Sequence, residues 1–534
     1  MCIRGLHAAG LPSAPDGVAE DNWRYALEVA CLIVGGDRYQ AAGDDMGAAI
    51  CRGILNANFP GWRERVDIDV MRRAAQITQN AIEEKEWQEA LRSSARMRLP
   101  ASDLRAWPRL KNQAVAHRRL QCPVGQGGFH AGIVRHALNC LAPEFSDDAS
   151  SSIFYIYDCG SERRRHVDPE IRKVVAGRGV GKPLDFLFLS HFDRDHINGV
   201  PLLLHETKGL RVDTVVLPYV DEAERLMAFG KAINRSKSAG SDRFFTDMIL
   251  DPVAALQAFG PRQIIFVTGE PGPRRTPEAP PVHSPSSPED GRPYWKAVSD
   301  DHAGAFGFRQ VSGAVIVDNL SFQIFGGMEM GGWRLVPYVE RADLDVIERF
   351  ECAIEILQKW DRGSFQKKTR DLDIRKELIT TYQIKVAQAY KYAAGNRNVT
   401  SLCLYSGPAA PEMAGAIDIS PGAASANLAK VGWLGTGDAE LRSDAAIEQF
   451  KRHYFSELPF TSTFVLPHHG SINNSDPLQL FSDVDRFVAA AWSKRWQHPS
   501  NQLVSQIENL DRDFRHVTAE PGTALNEACV VFWP

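Results

Sequence analysis

Four residues of metal-binding type fall within six positions in His191-Phe192-Asp193-Arg194-Asp195-His196. The apolar run LDFLFLS (184–190) leads straight into them. In a loop of that length, alternate side chains can converge on one or two cations. Imidazole and carboxylate together suit zinc, manganese or iron, and no thiolate biases the choice toward zinc. Further groups stand where apolar runs stop: Asp438 after GWLGTG, His468 and His469 after STFVLP, and His498 in WQHPS after VAAAWS. Asp158 ends the run SIFYIYD in the same way. Side chains at strand ends are how an α/β scaffold builds a site.

The chain that must position them has 534 residues, of which 44% are apolar, 24% charged and 9% aromatic. That composition fills a substantial core and excludes full-length disorder and a small disulfide-stapled scaffold. The formal charge of -5 argues against a surface that coats nucleic acid throughout, although a local basic groove is compatible with it. The nine cysteines are odd in number and none pairs at C-x-x-C spacing, which predicts reduced thiols in a cytoplasmic protein. The segment MCIRGLHAAGLPSAPDG is too weakly apolar for a signal peptide, and no apolar run reaches the length of a membrane span.

Residues 1–115 are predicted to form a helical accessory region, from the amphipathic stretches WRYALEVACLIV (23–34) and 71–97. From about 120 the texture changes to strand, polar loop and helix, which predicts an α/β domain over 120–534. SIFYIYDCG, LDFLFLS and RVDTVVLPYV are expected strands, and AVIVDNLSFQIFGG (314–327) is expected to be a hairpin. A large insertion is expected at about 221–395. It includes a Pro/Ser-rich loop at 271–293 and highly charged helices at 342–394, which are expected to pack outside the sheets.

The order of these elements resembles the metallo-β-lactamase fold superfamily of metallohydrolases. Within it, the chain is most similar to the soluble domain of bacterial competence DNA-uptake channel proteins. The resemblance lies in Val124-Gly125-Gln126-Gly127, Asp158-Cys159-Gly160, the run Ser190-His191-Phe192-Asp193-Arg194-Asp195-His196-Ile197-Asn198-Gly199, Thr436-Gly437-Asp438, Pro467-His468-His469-Gly470-Ser471 and His498-Pro499. Asn398-Val399-Thr400-Ser401-Leu402 resembles the branch's asparagine and serine before an apolar strand. The match covers roughly 120–530 and leaves out the first 115 residues. Asp193 stands where the superfamily's commonest motif has histidine, as is normal in this branch. No histidine between the first cluster and the TGD turn follows a strand in the matching way; Asn398 lies nearer that place.

The resemblance implies an αββα sandwich, here with a helical N-terminal region and a large insertion, and hydrolysis by a metal-bound hydroxide. It implies two divalent ions, zinc or manganese. His191 and Asp193 would hold one ion, Asp195 and His196 the other, with Asp438 bridging and His468 or His469 completing the shell. His498, or the non-ligating member of the histidine pair, would protonate a leaving group near neutral pH. Asp158 would orient a ligand histidine or the loop backbone. A phosphodiester suits two metals, so a nuclease or phosphodiesterase is the favoured expectation. Arg194, Lys494, Arg495 and the run Arg163-Arg164-Arg165 are candidate phosphate receivers, with Trp492 and Trp496 able to stack on a base. The alternatives are hydrolysis of a non-nucleic-acid ester, lactone or amide, and a non-catalytic regulatory protein that keeps the fold. Nucleic acid and a protein bound through 1–115 or 342–394 are the expected partners, and bacterial defence against foreign DNA fits that architecture.

Overall fold

Strict alternation decides the faces of the strand SIFYIYDC. In the computed structural model, Ile153, Tyr155 and Tyr157 point into one apolar core, while Phe154 and Ile156 point into another. A strand buried on both faces must be covered on both, and here one face meets a second sheet and the other meets helices. The structure describes Ala26, Ala74 and residues 114–533, apart from 137–151, 270–273, 276–281, 283, 285–292, 300–305, 312, 319, 326–331, 341–342, 395–399, 412–413, 421–426, 429, 475–483 and 493–497. The helical expectation for 1–115 therefore falls almost wholly outside the described residues, as do Asn398, Lys494, Arg495 and Trp496. The chain divides into two compact units. One is Met1–Lys111 with Leu141–Glu144 and Ser420–Ala424; the other is Asn112–Cys140 with Phe145–Ile419 and Ser425–Pro534.

The second unit is mixed α/β. In chain order its strands are β1 (Ala114–Gln121), β2 (Phe129–His136), β3 (Ser152–Cys159), β4 (Pro183–Phe188), β5 (Arg211–Pro218), β6 (Gln263–Val267), β7 (Arg274–Arg275), β8 (Tyr294–Ser299), β9 (Phe306–Val311) and β10 (Ala314–Val317). They continue with β11 (Leu320–Phe325), β12 (Gly332–Glu340), β13 (Ser401–Pro408), β14 (Gly415–Asp418), β15 (Asn427–Leu428), β16 (Gly432–Gly435), β17 (Thr461–Val465), β18 (Arg486–Ala490), β19 (Asp513–Val517) and β20 (Leu525–Phe532). A 12-stranded sheet runs β15-β14-β20-β1-β2-β3-β4-β5-β6-β10-β9-β7, and an 8-stranded sheet runs β19-β18-β17-β16-β13-β12-β11-β8. Strands β3 to β6 are mutually parallel, and so are β16 to β19, so each sheet has one edge of carboxyl ends.

Between the sheets Phe186, Phe188, Phe322, Trp295, Trp333 and Trp433 form the central core. A polar clamp crosses it. Arg119 on β1 donates to the Val431 carbonyl at 2.8 Å and to Thr463 Oγ1 at 3.1 Å, and pairs with Glu527 at 2.8 Å. Glu527 lies opposite Arg119 on the neighbouring strand β20 and compensates its buried charge, while the bonds to Val431 and Thr463 tie the two sheets together. Outside the 8-stranded sheet, the helices Asp444–His453 and Asn501–Asn509 bury Ile447, Phe450, Leu503 and Ile507.

One expectation changes. AVIVDNLSFQIF is not a hairpin: β10 pairs with β6 and β9 in the larger sheet, and β11 pairs with β8 and β12 in the smaller. Val315, Val317, Leu320, Phe322 and Ile324 all feed the core between the sheets, so the chain crosses from one sheet to the other. The stretch 221–395, expected as an insertion, supplies β6 to β12 to the two sheets. Its charged helices, Leu344–Gln358, Phe365–Thr369, Leu372–Thr380 and Gln383–Ala394, bury Phe350, Ile354, Leu378 and Tyr390 in the core on the helical side of the larger sheet. β1 was hidden in AVAHRRLQ, where the polar run His117-Arg118-Arg119 and Gln121 are buried.

Candidate metal centre

The parallel edges put the chemistry at carboxyl ends of β3, β4, β16, β17 and β18, where the strands stop and backbone can turn. Two glycines make the approach possible. A Cβ on Gly128 would sit 2.7 Å from the Asp158 carboxylate and 2.8 Å from His196 Nδ1. Gly437 has φ +52, and a Cβ there would come within 2.6 Å of Ser190 Cβ. The turns of the smaller sheet interlock with each other: the His468 amide donates to the Gly437 carbonyl at 2.9 Å, and the Asp438 amide donates to Ser401 Oγ at 3.1 Å. Asp158, His468 and His469 all adopt positive φ (59, 47 and 61), the left-handed conformation that is uncommon for non-glycine residues. Such strain persists where surroundings over-determine it.

Asp438 lies at the centre of the group. Its Oδ2 is 3.4 Å from His191 Nε2 and 3.7 Å from His468 Nε2; its Oδ1 is 3.6 Å from His196 Nε2 and 3.7 Å from His469 Nε2. Asp193 Oδ2 is 3.7 Å from His191 Nε2, and Asp195 Oδ2 is 3.9 Å from His469 Nε2. The structure thus brings together His191, Asp193, Asp195, His196, Asp438, His468 and His469, all buried. His498 is half-buried beside them, its ring centroid 5.5 Å from that of His468.

A set of supporting bonds aims the rings. Asp158 accepts from the Ser190 amide and hydroxyl, both at 2.7 Å, and lies 2.8 Å from His196 Nδ1. Ser190 Oγ is also 2.8 Å from His191 Nδ1. With the hydroxyl donating to Asp158, it accepts from His191, so one carboxylate assigns both rings the Nδ1–H tautomer. His469 Nδ1 bonds the Ala490 carbonyl at 2.8 Å, and His468 Nδ1 faces Asn474 Oδ1 at 3.0 Å. All four Nε2 atoms are left turned inward. Holding a histidine's far nitrogen in this way is the usual arrangement around a ligated ion.

The donor set fits a cation. His191 Nε2, His196 Nε2 and Asp193 Oδ1 are buried without a hydrogen-bond partner, which is costly for polar atoms unless something else satisfies them. His191, His196 and Asp438 form one group able to hold a metal ion, and Asp195, His196 and His469 another, each with ligand atoms within 4.8 Å of one another.

Two cations from the helix Glu222–Arg235 enter the same space, and sequence reasoning missed both. Lys231 is buried; its Nζ is hydrogen-bonded to Asp193 and lies 3.8 Å from Asp438 Oδ2. Arg235 Nη1 is 3.8 Å from Asp193 Oδ2, with its side chain 35% exposed at the rim. Asp221 and Glu224 close a capping box at the start of this helix, and Ala223, Leu226, Met227, Phe229 and Ile233 anchor it in the core. The available signal was a lone lysine in the apolar run LMAFGKAI.

The charges set one another. Burial alone would raise the Asp193 carboxyl, but Lys231, His191 and Arg235 hold it well below the usual range. Asp438 is likewise lowered against burial, chiefly by His468 and His191. Burial opposes a charged His196, yet Asp158, Asp438 and Asp195 raise it to about 9. His468 falls to about 3 and His498 to about 4, both mainly through burial. Arg194, a candidate phosphate receiver, bonds Asp242 through Nε at 3.0 Å, and Arg164 bonds Asp168 through Nε at 2.7 Å. Arg163 stacks over Trp492, 3.8 Å from the ring centroid.

No family model matches the chain, and no curated protein matches it. Among the described residues no helix is long and apolar enough to cross a membrane.

Proposed function

We propose that the chain is a metal-dependent hydrolase of phosphodiesters, a nuclease or phosphodiesterase, on a metallo-β-lactamase-type αββα sandwich. One observation carries this: residues as distant in sequence as His191 and His469 turn four imidazole Nε2 atoms toward the single carboxylate of Asp438. Apolar cores on both sides of each sheet support the sandwich. The imidazole–carboxylate donor set suits zinc or manganese. The candidate ligands are His191, Asp193, Asp195, His196, Asp438, His468 and His469.

A divalent ion held there supplies Lewis-acid charge neutralisation and lowers the pKa of a bound water. The chain's own contribution is orientation and charge. Asp158 and Ser190 hold the imidazoles, while Lys231 and Arg235 add fixed positive charge that favours an anionic reacting group. Four described cysteines, Cys159, Cys352, Cys403 and Cys529, carry free thiols, which supports a reducing, cytoplasmic setting.

A second reading, hydrolysis of a smaller ester, is favoured by the ion pairs of Arg164 and Arg194, which draw two of the candidate phosphate receivers onto carboxylates. The test is a zinc- and manganese-dependent screen over single-stranded DNA, duplex DNA, RNA, a chromogenic phosphodiester and a carboxylic ester, with Asp438→Ala as control. Phosphodiester turnover that is abolished by chelator and by Asp438→Ala is expected. Turnover of the carboxylic ester alone supports the second reading, and none with any substrate in a metal-loaded protein overturns both.

A further inference from the structure

Asp438 divides the centre in two. On its Oδ1 side stand His196 Nε2 at 3.6 Å and His469 Nε2 at 3.7 Å, with Asp195 Oδ2 3.9 Å from His469 Nε2. A tetrahedral ion with bonds of about 2.0–2.2 Å needs ligand atoms roughly 3.3–3.6 Å apart. These three separations exceed that range by at most a few tenths of an ångström, and the ligand atoms of Asp195, His196 and His469 all lie within 4.8 Å of one another. On the Oδ2 side stand His191, Asp193 and His468, with similar spacing. That side already contains a cation. The Lys231 ammonium is hydrogen-bonded to Asp193 and lies 3.8 Å from Asp438 Oδ2.

Two further facts point the same way. The two groups able to hold a metal share His196, whose Nδ1 is taken by Asp158 and whose single remaining nitrogen can serve only one ion. Charge gives the same result. With the histidines neutral, as ligation requires, four buried carboxylates (Asp158, Asp193, Asp195 and Asp438) stand against Lys231 and Arg235. One dication brings the group to neutrality; a second leaves two uncompensated positive charges in a buried site.

We infer that the centre holds one divalent ion, on Asp195, His196, His469 and Asp438, and that Lys231 occupies the position of a second. This deepens the metal-hydrolase proposal and rests on it. Lys231 is then a positioning residue: it fixes Asp193 and turns Asp438 Oδ1 toward the ion.

The experiment counts ions. The full chain is saturated with zinc, dialysed, and analysed by elemental analysis and by native mass spectrometry, alongside Lys231→Met and Lys231→Arg. One ion per chain is expected in the wild type and in Lys231→Arg, and two in Lys231→Met, where the ammonium is replaced by an apolar chain of similar length. Two ions in the wild type overturn the inference while leaving a metal centre in place. A folded Lys231→Met that still takes one ion overturns the role of the lysine. No ion in the wild type removes the metal centre itself, and the inference with it. If Lys231→Met fails to fold, the wild-type count decides alone: one supports the inference and two refutes it.

Discussion

Replacing Asp158 by asparagine tests whether one carboxylate orients the centre. Asp158 is 1% exposed and accepts from the Ser190 amide and hydroxyl at 2.7 Å each, with His196 Nδ1 at 2.8 Å. Asparagine keeps one acceptor, enough for the Ser190 amide. Its NH2 then faces two groups that were donors. The serine hydroxyl must reverse and accept, turning its own hydrogen toward His191, so both imidazoles switch to the Nε2–H tautomer. Each Nε2 then carries a hydrogen toward Asp438 and cannot ligate. Loss of such an orienting partner lowers metal affinity by about 10–100-fold, or roughly 1.4–2.7 kcal/mol. Bonds to a charged group contribute about 1.5–3 kcal/mol each, and two of the three reverse and lose the charge, so stability should fall by about 2 kcal/mol. Competition with a chromophoric zinc chelator measures the first quantity and urea unfolding the second. Nitrogen-15 shifts of the histidine rings report the tautomer. Unchanged zinc affinity, with His196 still protonated on Nδ1 alone in the loaded state, would refute the orienting role.

Two consequences concern pH. Because His196 is raised to about 9 by Asp158 and its neighbours against the pull of burial, a cation binding Nε2 must displace a proton. Zinc affinity should therefore rise about tenfold per pH unit between pH 6 and 8, and a flat profile in a chelator competition would contradict this. His130, stacked on Trp433 at 3.9 Å with neither ring nitrogen hydrogen-bonded, is lowered to about 3 by burial and then by Arg119. Its folded pKa lies below the unfolded value, so stability is present above about pH 6.5 and is lost as pH falls toward 3, by at most about 1.4 kcal/mol per unit. His130→Phe keeps the stack and should reduce that slope by about one proton; an identical slope in urea titrations at pH 6 and 5 would show that another group titrates.

Much of the centre was legible because its parts are local. Each ligand group sits at the end of an apolar run, and a strand's end is visible in the sequence as a change from apolar to polar. β3, β4 and β5 lie where SIFYIYDCG, LDFLFLS and RVDTVVLPYV put them. What escaped depends on long-range packing. Lys231 is more than thirty residues from the metal loop, and its direction is set by how its helix rests on the helix Gln383–Ala394, where a Cβ on Gly230 would meet Tyr390 at 2.8 Å. The break between β10 and β11 escaped for the opposite reason. Two apolar runs joined by Asp318-Asn319 carry a strong local hairpin signal, and only competition from β6 and β12 overrides it. β1 escaped because its buried polar side chains, Arg119 above all, find partners on the facing sheet.

Anomalous X-ray scattering from crystals grown with zinc, recorded on both sides of the zinc edge, tests the metal centre most directly. The expected result is one anomalous peak within about 2.0–2.2 Å of Asp195, His196, His469 and Asp438 side-chain atoms. A fully ordered site with no anomalous peak at saturating zinc would contradict it.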